Sequence, residues 1–425
     1  MTPAEFCSFI ARTRVLGSRP GLSRVHALLH ALGDPQEGLR VVHITGTNGK
    51  GSCAAAVYAG LLSAGLSAGA FISPEIFRVN ERISAAGEDI SDAELYAAAD
   101  EVYPHWQALE AAGDPPTEYE LFVALALVHF RRRGITHAVM EVCMGGRRDA
   151  TNVFFATEVC VLTPVSLDHS AFLGTTVSAV AEEKCGILRQ GCTVVTPADQ
   201  HPEALAVIRR EADRLSARLV LPDPEGAENV HFLPQRTEFD FEGHHIVMPF
   251  GGDFQRQNGV IAAAALTEFA KRCGFDVKTA LSGIKNARLT GRFSRISEHP
   301  EIYADAGHNP AAAEALIRAV ERHLSDRPLY AVMGMYRDKD YAACIRRVAE
   351  KCTAFYAVQS DNPRALSADL VAEEARSVCR EVHVLPDPGA GLRAAAAAAK
   401  TSGGRVLLCG SFGHISRALE GIYEP

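Results

Sequence analysis

Hydrophobic and polar positions follow three rhythms along this chain. Near the N-terminus, Leu22, Val25, Leu28, Leu29 and Leu32 recur at helical spacing, which predicts helices over roughly the first forty residues. The apolar run Leu39–Ile44 predicts a strand, and the small-residue stretch Ala54–Ala64 a helix. Asp92–Leu109 and Tyr119–Arg133 read as helices. The second is opened by Thr117-Glu118-Tyr119-Glu120, with the form of a capping box: Thr117 as N-cap and Glu120 three residues on. Thr136–Val142, Val159–Val165 and Thr193–Thr196 read as strands. Between Leu219 and Phe250 the period falls to two, as in Phe239-Asp240-Phe241-Glu242 and His245–Val247 around Gly243, which predicts antiparallel hairpins. A helix, Asn258–Cys273, follows. Beyond it Ile302–Ala306, Leu329–Met333, Ala354–Val358, Glu381–Leu385 and Arg405–Cys409 read as strands, each followed by a helix-like run: a parallel α/β sheet. The polar segment Ala287–Ser297, with Gly291, separates the two halves. The expectation is an α/β protein with domains 1–290 and 298–425 and a hinge at 291–297.

Candidate chemistry sits at the ends of the predicted strands. Ile44-Thr45-Gly46-Thr47-Asn48-Gly49-Lys50-Gly51-Ser52 joins a strand to a helix. Glycines let such a loop curl its N–H groups around one oxyanion, and the helix N-terminus adds positive dipole. Lys50 can then reach the terminal phosphates of a nucleotide, and the Ser52 hydroxyl can ligate magnesium. Gly51 separates lysine from hydroxyl, so the match to the strict phosphate-loop pattern is imperfect. The alternative is a glycine-rich turn with an incidental lysine.

Glu141 ends an apolar strand, where phosphate-loop enzymes place an acid that holds magnesium directly or through water. Asp168-His169 also follows a strand, a position where α/β proteins bind ligands, although a lone histidine is often structural. Lys184, just before Gly186, reads from its surroundings alone as a helix lysine near a C-terminal cap. Asp305-Ala306-Gly307-His308-Asn309-Pro310 joins the first C-terminal strand to its helix, so Asp305 and His308 are placed for ligand contact or for a structural turn.

Composition narrows the class. The 425 residues are 47% hydrophobic and 22% charged, as in a globular enzyme of two or three domains. A formal net charge of -8 argues against a nucleic-acid-coating protein. The basic run Arg131–Arg133 fits the end of a helix. No run has the length of a membrane span, and Met1–Arg14 lacks a secretory signal pattern. Eleven cysteines without a Cys-x-x-Cys pair fit a reduced, cytoplasmic protein and no structural zinc. No membrane and no nucleic-acid partner is expected, and a monomer is.

Taken in order, these segments resemble the folylpolyglutamate synthase/dihydrofolate synthase family of the Mur ligase superfamily. The resemblance runs from Gly21 to Arg417. It rests on Gly21-Leu22, Thr45–Ser52, Ser73-Pro74, Asn80-Glu81-Arg82-Ile83, Thr117–Glu120, Glu141–Asn152 and Leu167–Gly174. Glu183–Ile187, Gln257-Asn258, Gly291-Arg292, Asp305–Pro310 and Asp338-Lys339-Asp340 complete it. It implies an N-terminal phosphate-loop ATPase domain, a C-terminal Rossmann-like domain and an active site in the cleft between them.

The implied reaction is ATP-dependent addition of L-glutamate to the γ-carboxylate of folates through an acyl phosphate. Whether dihydropteroate is also a substrate stays open. The resemblance implies ATP contacts at Thr47, Asn48, Gly49, Lys50, Gly51, Ser52, Asn258, Arg292 and Asp305. It implies two magnesium ions on Ser52, Ser73, Glu141, His169 and Lys184, the last as a carbamate. Arg82, Thr117, Glu120 and Asp149 fall on the folate side, and Lys50, Lys184 and His308 at the chemistry. The chain departs from the family at Glu75, where histidine is usual, and at Tyr119, Cys143 and Arg148 (usually phenylalanine, glycine and leucine). All four lie near the folate side. Two other readings are a Mur-type ligase acting on another carboxylate and a phosphate-loop regulatory ATPase. Only about forty residues precede the loop, too few for the nucleotide-sugar domain of the former.

Overall fold

The computed structural model describes residues 1–168 and 170–420. Its residues group into two compact units: Met1–Gly226 with Asn258–Ala287, and Ala227–Gln257 with Arg288 onward.

The first unit is built on an eight-stranded sheet. Its strands are β1 (Arg40–Thr45), β2 (Ala68–Phe71), β3 (Ile83–Ala85), β4 (Glu88–Asp89), β5 (His137–Glu141), β6 (Val159–Leu162), β7 (Thr193–Val195) and β8 (Arg218–Val220). They lie in the order β4-β3-β2-β5-β1-β6-β7-β8. The sheet is parallel apart from β3 and β4 at one edge. β1 and β5 are buried at every position but the first, as central parallel strands are. β1 lies between β5 and β6, with Ile44 opposite Glu141, so the chain leaving β1 emerges beside the loops that follow both neighbours.

The helix Lys50–Ser63 then packs against the sheet through small residues. A Cβ at Gly60 would meet the Ala280 carbonyl at 3.0 Å, and one at Gly283 would run into Ser63. Two helices, Phe254–Cys273 and Val277–Gly283, thus pack closely on it. Helices Asp92–Ala111 and Glu118–Arg132 start at Ser91 and Thr117, each closed by a capping box. They bury Trp106, Phe122 and Phe130 in the main core of this unit.

The second unit holds a three-stranded antiparallel sheet, β9 (Glu228–Leu233), β10 (Arg236–Phe241) and β11 (His244–Met248). It also holds a six-stranded sheet of β12 (Ser294–Glu298), β13 (Glu301–Asp305), β14 (Leu329–Gly334), β15 (Ala354–Ala357), β16 (Val382–Val384) and β17 (Arg405–Gly410). Its order is β12-β13-β17-β14-β15-β16, parallel except for β12. The hairpins belong here because their side chains do: Arg322 lies over the Phe232 ring at 4.6 Å, and Arg318 pairs with Asp253 at 2.9 Å.

Three expectations therefore shift. The grouping by contacts breaks the continuous domain 1–290, since 227–257 packs with the C-terminal sheet. The hinge at 291–297 is in part a strand: β12 takes up Ser294–Glu298, with Ser294 opposite Ala304 on β13. Leu219, read as the start of the hairpin region, instead lies in β8 at the parallel edge of the first sheet.

Candidate active site

Beyond β1 the backbone turns sharply. Gly46 has φ +147°, and a Cβ there would collide with the Thr163 side chain. Gly49 has φ +89°, and a Cβ there would collide with the buried amide of Asn258. Both positions demand glycine for conformation and for space. Gly49 caps the helix Lys50–Ser63, whose first turn directs its N–H groups toward the loop.

The loop is braced from the β6 side. The N–H groups of Thr47 and Asn48 both donate to the Pro164 carbonyl, at 2.9 and 3.4 Å. The Thr47 hydroxyl donates to the Ser166 carbonyl and accepts the Ser166 N–H, both at 3.0 Å. Of the loop residues expected at a phosphate, Thr47 and Asn48 thus spend their amides on holding the loop, while Gly49, Lys50, Gly51 and Ser52 form the helix start.

Two lysines converge on the loop. Lys50 Nζ donates to the carbonyls of Gly46 and Thr47, each at 3.1 Å. Lys184 Nζ, from the end of the helix Val177–Lys184, donates to the Gly46 carbonyl at 2.6 Å. Lys184 is a helix lysine, in the last turn of its helix with Cys185 rather than Gly186 at the C-cap, but its side chain leaves that helix for the loop. Lys184 is 3% exposed. Burial pushes its amine down to about 7, and the neighbouring charge of Lys50 adds to the effect.

Oxygen-bearing side chains cluster at the carboxyl ends of β1, β2 and β5. The Ser73 N–H donates to the Glu141 carboxylate at 3.0 Å. Ser73 Oγ is buried without a hydrogen-bond partner, while the nearby Tyr119 hydroxyl donates to the Glu141 carbonyl at 3.3 Å. Ser52 and Glu141 are buried as well. Hydroxyl and carboxylate oxygens are the donors magnesium takes, and a buried hydroxyl with no partner is what a ligand to such an ion looks like before the ion arrives. The residues fit that metal. His169, the other expected ligand, lies outside the described residues.

The loop after β5 carries Lys184's support. A Cβ on Gly146 would sit 2.7 Å from the Lys184 carbonyl, and one on Gly186 would overlap the Arg147 backbone. The Arg147 N–H donates to the Glu183 carbonyl at 2.8 Å. Asn152 Nδ2 donates to the Arg147 and Gly186 carbonyls at 3.0 and 3.1 Å, and Arg189 ties Asn152 Oδ1 at 2.6 Å. Asn152 and Arg189 were not singled out by sequence reasoning; only the glycines beside them hinted at such close backbone packing.

The folate-side candidates divide. Asp149 accepts four hydrogen bonds, from the N–H groups of Cys143, Met144 and Thr151 and from the Thr151 hydroxyl, between 2.7 and 3.1 Å. Burial raises its carboxyl and these bonds oppose the rise. Its geometry is that of a loop brace. Glu120 Oε2 takes the N–H and hydroxyl of Thr117, at 2.7 and 2.8 Å, and the Nε of buried Arg24 at 3.1 Å. Glu120 Oε1 is buried without a partner. Arg24 had no sequence signal beyond its helix. Arg82 pairs through Nε and Nη2 with Glu75. Of the remaining departures, Arg148 pairs with Glu183 at 3.3 Å and burial pushes the Cys143 thiol up to about 12.

The second unit carries its own strand-end cluster. Asp305, at the end of β13, accepts the Phe293 N–H at 2.9 Å and the Gly307 N–H at 2.8 Å. Burial raises its carboxyl, against these bonds and the charge of Arg292. His308 Nδ1 lies 2.9 Å from the Ala306 carbonyl, so it carries the proton and leaves Nε2 as the acceptor. The Arg292 guanidinium lies 4.8 Å over the ring of Phe412, whose centroid is 6.1 Å from that of His308. Phe412 joins the two, and its only sequence cue is its place just after β17.

Residues 44–266 match the Mur ligase middle domain, and residues 291–412 match the Mur ligase glutamate ligase domain. A dihydrofolate synthase/folylpolyglutamate synthase of Bacillus subtilis is 35% identical over 365 residues, 83% of this chain and 84% of that protein. The chain belongs to the folylpolyglutamate synthase/dihydrofolate synthase family of Mur ligases. Solved structures agree. The Mycobacterium tuberculosis folylpolyglutamate synthase complexed with ADP and AMPPCP matches with a TM-score of 0.90 and 27% identity, over 99% of both chains. E. coli FolC in complex with DHPP and ADP matches with a TM-score of 0.83 and 26% identity, over 99% of this chain and 97% of that one. Among the described residues of this family member, no helix is long and apolar enough to cross a membrane.

Proposed function

We propose that this protein is an ATP-dependent carboxylate–amine ligase that adds L-glutamate to folates. The observation that carries the reading is the convergence of Lys50 and Lys184 on one glycine loop, beside Ser73 and Glu141. A carboxylate is a poor acyl donor because its oxygen is a poor leaving group. In the proposed reaction a carboxylate oxygen of the acceptor attacks the γ-phosphorus of ATP and ADP departs. The α-amine of glutamate then attacks the acyl carbon, and the resulting tetrahedral intermediate collapses to an amide, releasing phosphate and a proton.

Negative charge grows on the phosphate oxygens in the first step. Lys50, 3.1 Å from two loop carbonyls, exchanges those contacts for phosphate oxygens. Magnesium on Ser52, Ser73, Glu141 and His169 would supply further positive charge there. The depressed amine of Lys184 supports its conversion to a carbamate. A neutral amine attacks the carbon of dissolved carbon dioxide, an N–C bond forms, and one proton leaves. The product is an anion whose oxygens can ligate a second metal, which an ammonium cannot do. Asn258 against Gly49 is placed for nucleotide contact. Glu120 Oε1 is the acceptor atom offered to a substrate N–H. Arg292 and Asp305 are our candidates for nucleotide contact, and His308 for the chemistry. We assign the enzyme to the cytoplasm as a monomer.

The test is a mass-spectrometric product assay with MgATP and L-glutamate, run separately with dihydropteroate and tetrahydrofolate. A glutamate adduct on both identifies a bifunctional enzyme. An adduct on tetrahydrofolate alone identifies a dedicated polyglutamylator. Adducts on neither, from protein that binds ATP, would remove the folate assignment.

A further inference from the structure

Glu75 stands two residues beyond Ser73, on the segment that leaves β2 and returns to β3. That segment is tied down by backbone hydrogen bonds. The Glu81 carboxylate accepts three consecutive N–H groups, of Ile76, Phe77 and Arg78, between 2.8 and 2.9 Å. The Ile72 N–H donates to the Arg82 carbonyl at 3.1 Å. Arg82 is thereby fixed across from Ile72, the residue before Ser73, with its guanidinium 4.6 Å over the Phe122 ring. Glu75 grips two of its nitrogens, Nε and Nη2, and leaves Nη1 outside the pair. The two side chains are 18% and 13% exposed. Such a fork would otherwise take a carboxylate ligand in the same two-point manner.

We infer that Glu75 sets acceptor preference by occupying Arg82, so that this wall favours acceptors with a single carboxylate over those already carrying glutamate. The inference rests on the proposed folate reading. In the proposed reaction both kinds of acceptor bring their reacting carboxylate to the phosphate that Lys50 would hold. Dihydropteroate has no other carboxylate. A folate that carries glutamate brings a second one, the α-carboxylate, only a few bonds from the reacting group. That group meets a guanidinium already neutralised and a glutamate that repels it. Like charges held together in a partly buried site discriminate strongly between ligands.

The experiment measures equilibrium binding of dihydropteroate and of tetrahydrofolate monoglutamate to wild type, Glu75→Gln and Glu75→Asp. Glu75→Gln should tighten the glutamylated acceptor roughly tenfold and move dihydropteroate by less than about twofold. Glu75→Asp keeps the charge and should keep the wild-type preference. A merely structural brace would shift both ligands together. Equal shifts, no shift, or a Glu75→Asp variant that behaves like Glu75→Gln overturns the inference. Should Glu75→Gln not fold, as judged by thermal melting, Glu75→His takes its place with the same expected ratio. Failure of the folate reading itself shows separately, as the absence of any glutamate adduct in the wild-type product assay.

Discussion

The loops after β1 and after β13 leave similar parallel strands and hold opposite charges. After β1, two lysines point at backbone carbonyls, those of Gly46 and Thr47. After β13, one carboxylate receives backbone amides, those of Phe293 and Gly307. The second arrangement is complete: an anion with two backbone donors, one in its own loop and one just before β12. The first spends cations on neutral carbonyls, weak partners for a full charge, and burial, with the charge of Lys50 beside it, pushes the Lys184 amine down to about 7. A polyanion offers those lysines a better partner than they have now. The difference teaches where chemistry is built and where scaffold is built, even when both loops sit where α/β sheets bind ligands.

Four tests bear on that contrast, in falling order of effect. Lys50→Ala and Lys184→Ala should each lower turnover by about a thousandfold or more while leaving thermal melting intact. A small carboxylic acid should restore part of the activity of Lys184→Ala. Wild-type turnover in either variant would erase the distinction between the loops. Asp305→Ala should act on stability first, costing about 1–3 kcal/mol because it strands the buried Phe293 amide and the half-buried Gly307 amide. Chemical denaturation reads this, and a variant as stable as wild type would show that the second loop is not held by Asp305.

Gly49→Ala should raise the KM for ATP and cost about 1–3 kcal/mol, since it combines a left-handed backbone with a collision on Asn258. Unchanged nucleotide affinity would sharpen the contrast toward the lysines alone. The smallest effect concerns pH. His43 in the first unit and His414 in the second are buried, and burial pushes them down to about 3 and about 4. Each favours its neutral form when folded. Their contribution is therefore whole above about pH 6.5 and shrinks as pH falls from there toward those values. Urea denaturation from pH 7 to pH 4 should show falling stability, less steeply in His414→Gln. A flat profile would contradict it.

What could be read from the sequence follows from what each signal depends on. β1, the glycine loop and the helix Lys50–Ser63 were legible because burial on both faces, tight turning and close packing each leave a local mark. The hairpins were legible as hairpins, since alternation is local, but their partner was not. Nothing in residues 227–257 says that Arg318 and Arg322 will meet Asp253 and Phe232. β12 was hidden because Ser-Arg-Ile-Ser-Glu offers one apolar residue, as an edge strand can. At the site, Lys50 announced itself through its loop. Lys184 looked like any helix lysine until the fold brought it 138 positions back to Gly46. Arg24, Asn152, Arg189 and Phe412 act only through partners distant in sequence, so no window of the chain could reveal them.

The interleaving of the two units has a consequence for how the protein is made. Residues 227–257 leave the ribosome before 258–287, yet they belong to the second unit while the later segment completes the first. The first unit therefore stays without the helix that packs on Gly60 and brings Asn258 to Gly49 until synthesis has passed the start of the second. The hairpins β9–β11, already synthesised, wait longer still for Arg318 and Arg322. Neither half can be released as a finished piece by cutting the gene at one point, and a fragment ending at residue 290 would carry three strands whose packing partners lie beyond the cut.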